Sequence, residues 1–78
     1  MSQEQFAAIL PYISADLIYM IGSKKSVTEE EAILKLYTSK LYAALEQEDT
    51  KLWHYSTEML YSLLEQEEQT GGIRYPDV

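Results

Sequence analysis

The sequence predicts an all-α fold: a small bundle of about four helices over residues 1–72, followed by a short extended tail at 73–78. Three observations carry that expectation. Large apolar residues recur at helical spacing in successive segments, and short polar runs with capping residues or glycine separate those segments. With 78 residues, 46% apolar and no cysteine, the chain is one domain held by packing rather than by disulfides. At this mass only about 60% of the unfolded surface is buried on folding, so the core is either efficient or shared with a partner.

In the first segment Phe6, Ile9, Leu10, Ile13, Leu17, Met20 and Ile21 lie on one face of a helix. The spacing predicts a helix over about 3–21, kinked at Pro11, which has no N–H to bond back to Ala7, and stopped by Gly22. Ser23-Lys24-Lys25-Ser26 reads as a short connection. Next, Thr28 and Glu31 have the spacing of a capping box, each side chain reaching the other's backbone N–H, and three glutamates face the positive end of the helix dipole. Ile33, Leu36, Tyr37, Leu41, Ala44 and Leu45 continue the helical pattern. A break is predicted near Ser39, which can cap a separate helix from Lys40.

The polar run Glu46-Gln47-Glu48-Asp49-Thr50 predicts a surface connection, with Asp49 or Thr50 capping one short turn through Lys51-Leu52-Trp53-His54. Ser56 is placed to cap the last helix, whose Leu60, Leu63 and Leu64 point inward with Met59 and Tyr61 beside them. Thr70-Gly71-Gly72 ends it. Pro76 biases Tyr75 toward an extended conformation in the tail.

Between Ala7 and Ile21 nearly every residue except Pro11, Ser14 and Asp16 is apolar or aromatic, and Tyr12, Ile18 and Tyr19 lie opposite Leu10 and Leu17. Either the other helices wrap this one, or the surplus face is a dimer or partner surface. Asp16, inside that zone, is expected to be buried and paired with Lys40, Lys51 or a tyrosine hydroxyl. Seven tyrosines and one tryptophan are many for this length; Trp53 and Tyr61 either close the rim of the core or serve as contact hot spots. The candidate interaction residues are therefore Tyr12, Ile18, Tyr19, Trp53 and Tyr61.

Composition excludes several kinds of chemistry. There is one histidine, His54, and no cysteine, so no metal-ligand set or nucleophile–base pair is spelled out; no cofactor and no metal are expected, and no enzymatic activity. None of Gly22, Gly71 and Gly72 follows a strand in a phosphate-binding loop. The net charge is −7 and it is uneven: residues 1–45 carry five acids and four lysines (net −1), residues 46–78 eight acids and two bases (net −6). The acidic half repels phosphate backbones, which argues against nucleic acid; the alternative, a helix-turn-helix-like DNA-binding regulator, rests on Lys24, Lys25, Lys35 and Lys40. The Ala7–Ile21 stretch falls short of the roughly 20 apolar residues of a membrane span, and the acidic start lacks the basic region of a secretory signal. A cytoplasmic location without membrane contact is expected.

Several runs, Tyr37-Thr38-Ser39-Lys40-Leu41-Tyr42, the stretch 45–53 ending in Leu52-Trp53, Ser56, Leu60-Tyr61, and Thr70-Gly71-Gly72 with Tyr75-Pro76, together resemble a group of small acidic uncharacterised proteins of Gram-positive bacteria. The likeness covers most of the chain from Ala15 onward. It implies a bacterial cytoplasmic protein and permits an antitoxin-like or accessory role, and it assigns no catalytic residue. Residues and resemblance together predict a small acidic protein–protein interaction module that binds a basic protein partner or a second copy of itself.

Overall fold

In the computed structural model, which describes residues 1–73 and Tyr75, the chain turns helical directly after Ser2. The Ser2 hydroxyl accepts from Gln5 N–H (3.1 Å) and the Gln5 side-chain oxygen accepts from Ser2 N–H (3.2 Å), closing a capping box ahead of α1 (Gln3–Lys25). Pro11 lies inside this helix. The Ala7 carbonyl that it leaves without an N–H is on the exposed side, where water can take the bond.

The expected stop at Gly22 is not used; α1 runs another turn, and Ser26 takes the left-handed conformation (φ 53°). Contacts to the last helix, α4 (Thr57–Thr70), hold the extra turn. Lys24 and Lys25 place their ammonium groups 5.8 and 5.9 Å from the centre of the Tyr61 ring, and Lys25 Nζ lies 2.9 Å from Glu68. At 23 residues α1 is longer than the expected 3–21 and, by length and composition alone, long and apolar enough to cross a membrane, a test that the core helix of a bundle also passes. Its inner face is committed to the bundle, with Leu17 and Ile21 fully buried.

After Ser26, Thr28 caps α2 (Glu29–Tyr37) by accepting from Glu31 N–H (3.2 Å). Only half of the expected box forms, because the Glu31 carboxylate accepts from the Thr28 hydroxyl (3.3 Å) rather than from its backbone. The predicted break is present: α2 ends at Tyr37, and Ser39 caps α3 (Lys40–Leu45) by accepting from Tyr42 N–H (3.0 Å) while its hydroxyl donates to the Leu36 carbonyl. Instead of one capped turn, two 3-10 turns follow, Glu48–Thr50 and Leu52–His54, joined through Lys51 in the left-handed region (φ 58°). Neither N-cap residue, Gln47 or Lys51, caps through its side chain; Thr50 supports the second turn as expected, its hydroxyl accepting from Leu52 N–H (3.4 Å) while it donates to the Ala44 and Gln47 carbonyls. Ser56 caps α4 through Met59 N–H (3.1 Å), and Gly71 closes it in the left-handed conformation (φ 78°), both as predicted.

Leu17 and Ile21 from α1, Ala32 and Leu36 from α2, Leu41 and Leu45 from α3, and Leu60 and Leu64 from α4 meet in one core. Tyr37 was expected on that face; it is half exposed, edge-on to Tyr42 at 4.7 Å. The architecture is the predicted all-α bundle, with no strand among the described residues. Of the expected tail, Ile73 packs against the core and Tyr75 is exposed, while Arg74 and residues 76–78 lie outside the described residues.

The Lys25–Glu68 pair joins the end of α1 to α4, and Lys35 of α2 reaches the same carboxylate at 3.5 Å. The hydrogen bond from Lys25 holds the Glu68 carboxyl below its ordinary value of 4.5, and the same bond holds the Lys25 ammonium above 10.5. The lowered acid contributes stability that is present above pH 4.5 and lost as pH falls through its folded value; the raised base contributes stability present below pH 10.5 and lost as pH rises through its own. Both groups are partly exposed, so Glu68→Gln is expected to cost about 0.5–1 kcal/mol at pH 7. Thermal melts of the parent and variant should differ by a few degrees at pH 7 and converge as the pH falls through the lowered pKa of Glu68.

Candidate interaction surface

Helix α1 is apolar on both faces, and the other helices cover one of them. Only 22% of its most apolar 18-residue stretch is buried. On the uncovered side Tyr12 and Tyr19 are 75% and 77% exposed, two turns apart, so that they stand in line as a ridge. Ala8, Ala15 and Ser23 are exposed on the same side, and these small side chains leave the tyrosines projecting. Seven residues make nearly two full helical turns, and that period accounts for the alignment.

A groove flanks the ridge on each side. One, of about 570 Å³, runs between α1 and α2 over Ala15, Ile18 and Gly22, with Ile33 as its far wall and Glu29 at its edge. The other, of about 440 Å³, lies toward the start of α4, between Asp16, Met20, Lys24 and Thr57. Tyr19 borders both. Asp16 is exposed in the second groove, which corrects the expectation that it is buried and paired. The face that carries it has no helix over it, so its carboxylate remains in water and needs no partner.

The five candidate residues separate by environment. Tyr12 and Tyr19 form the ridge; Ile18 is half-buried, packed against the core while lining the first groove. Tyr61 is 6% exposed and covered by Lys24 and Lys25, so it is a core residue and cannot anchor a partner. Trp53, in the second 3-10 turn, is half-buried, and its indole N–H donates to the Glu48 carbonyl (3.0 Å). It closes the core rim rather than joining the ridge. Sequence reasoning missed Ala15, Gly22 and Ile33. The available signal was the alternation of small residues with Tyr12 and Tyr19 at steps of three and four.

The residues that suggested other chemistries have local structural roles. His54 is exposed, and its Nδ1 is hydrogen-bonded to the Lys51 carbonyl. The acidic runs do not converge: among the described residues no three His, Cys, Asp or Glu side chains are grouped to hold a metal ion. The lysines behind the DNA-binding alternative are engaged within the fold. Lys25 and Lys35 pair with Glu68, Lys40 Nζ donates to the Gly71 carbonyl (2.9 Å), and Lys24 lies over Tyr61. Helix α3, at six residues, is also short for a recognition helix.

Comparison with family models, curated proteins and solved structures finds no match to this chain.

Proposed function

We propose that this chain acts by binding proteins, as a small cytoplasmic interaction module without catalytic activity, in an antitoxin-like or accessory regulatory role. The observation that carries this reading is the tyrosine ridge of α1: two aromatic side chains more than 70% exposed, on a rigid helix, between two apolar-walled grooves. Tyrosine supplies large contact area at small entropic cost, and a helix holds it in one place. A second surface of different chemistry is the acidic C-terminal half, net −6 over residues 46–78, which attracts a basic protein and speeds its approach.

Tyr12 and Tyr19 contribute little to the fold, so replacing both by alanine is expected to leave helicity unchanged and stability within about 0.5 kcal/mol. Circular dichroism melts check this. A photoreactive phenylalanine analogue in place of Tyr19 should cross-link to protein in cells, while the same analogue in place of the exposed Gln69 should not. No protein adduct at position 19 would overturn the reading.

A further inference from the structure

Resting on that reading, we infer that the occupant of the α1 ridge is a second copy of this chain, packed antiparallel across a two-fold axis beside Ala15. A two-fold interface must be self-complementary, each contact between residues i and j being repeated as j and i. The exposed stripe has this property in its spacing. Placing the axis between positions 15 and 16 sets Tyr12 beside the partner copy's Tyr19 and Ala8 beside Ser23, and brings Ala15 within one position, about 1.5 Å along the axis, of its own equivalent. All five of these residues are exposed, and no other helix of the chain covers them. Small residues meet at the crossing point, where two backbones must come close, and each tyrosine ridge has a groove next to it to receive the ridge of the other copy.

Charge and area agree with this occupant. Helix α1 carries Glu4 and Asp16 against Lys24 and Lys25, a net charge of zero, and Glu29 at the edge of the first groove adds one negative charge, so two copies meet with much less repulsion than −7 each would give. Antiparallel pairing also opposes the two helix dipoles favourably. Asp16 lies in the Thr57-side groove with Lys24 rather than on the ridge. The stripe from Ala8 to Ser23 is about 24 Å long, and with the adjoining wall of α2 it is about 20 Å wide, roughly 480 Å² per copy. Stable interfaces take about 800 Å² per partner and weaker ones less, so this face suits a weak, reversible dimer with a dissociation constant of micromolar or above.

The absence of cysteine makes the geometry directly testable. Light scattering over a concentration series of the full chain should show a monomer–dimer equilibrium, and Tyr19→Ala should weaken it at least tenfold or so while the melt is unchanged. Under mild oxidation Ala15→Cys should form a covalent dimer, because its equivalents meet at the axis; Ala8→Cys alone should not, and a mixture of Ala8→Cys with Ser23→Cys should. Three results would each overturn the inference: a monomer throughout the series, a dimer indifferent to Tyr19→Ala, or a dimer in which Ala8→Cys links to itself as fast as Ala15→Cys. A monomer that still gives a foreign protein adduct at position 19 would refute the second copy and leave the interaction reading in place. A monomer with no adduct would remove both.

Discussion

Replacing Leu17 by alanine is expected to destabilise the protein by about 3–5 kcal/mol, the largest effect of any single substitution considered. Leu17 is fully buried at the middle of α1, where the core residues of the other helices meet it. Removing three carbons there leaves a cavity that this small core has few mobile neighbours to fill. At about 4–8 °C of melting temperature per kcal/mol for a domain of this size, the midpoint should fall by at least 12 °C. The comparison with Tyr19→Ala gives the result its meaning. Both residues sit on one helix two positions apart, one without exposed surface and the other 77% exposed, so the two variants should differ several-fold in cost. Equal losses would mean that the outer face of α1 is part of the fold, and the interaction surface would disappear with that result.

Glu67 should produce the second largest effect. Its carboxylate, on α4, accepts from the backbone N–H groups of Lys40 (2.8 Å) and Leu41 (3.0 Å), the first two residues of α3. The Ser39 hydroxyl takes Tyr42 N–H, and Ser39's own N–H donates to the Leu36 carbonyl (3.1 Å). The four N–H groups that a helix start leaves unpaired are thus all satisfied, two of them by a side chain from another helix. A six-residue helix cannot stand alone in water, so α3 depends on that support. Glu67→Ala is expected to cost about 2–3 kcal/mol, and Glu67→Gln, which keeps one acceptor and loses the charge, about half as much. Denaturant unfolding of the three proteins checks the order. An alanine variant as stable as the parent would show that water replaces the carboxylate without loss.

What was legible in the sequence was what local chemistry decides. Thr28, Ser39 and Ser56 cap helices because a short side-chain oxygen reaches an N–H three residues ahead, and Gly71 stops α4 because it tolerates positive φ. Ser2 and Gln5 carry the same signature and could have been read in the same way. Long-range effects were not legible. Nothing around Glu67 announces that it caps a helix 26 residues earlier, and Gly22 looks like a stop because the contacts that prolong α1, to Tyr61 and Glu68, come from the far end of the chain. Tyr12 and Tyr61 are the same residue type in similarly apolar stretches, yet one is on the surface and the other inside. The difference lies in which helix has a neighbour on that side, a property of the assembled bundle. Asp16 follows the same rule: apolar flanks bury a carboxylate only if another element covers them.

The uneven charge described for the two halves of the chain also gives the molecule a direction. With net −6 on residues 46–73 and zero on α1, the described part of the protein carries an electric dipole whose negative end is the segment from Glu46 through α4. In the field of a positively charged body the molecule turns before it touches, so encounters begin at the acidic end while the tyrosine ridge is still free of contact. Which surface meets a partner first is thus settled by orientation at a distance, and added salt, which shortens the reach of the field, makes encounters indifferent to orientation.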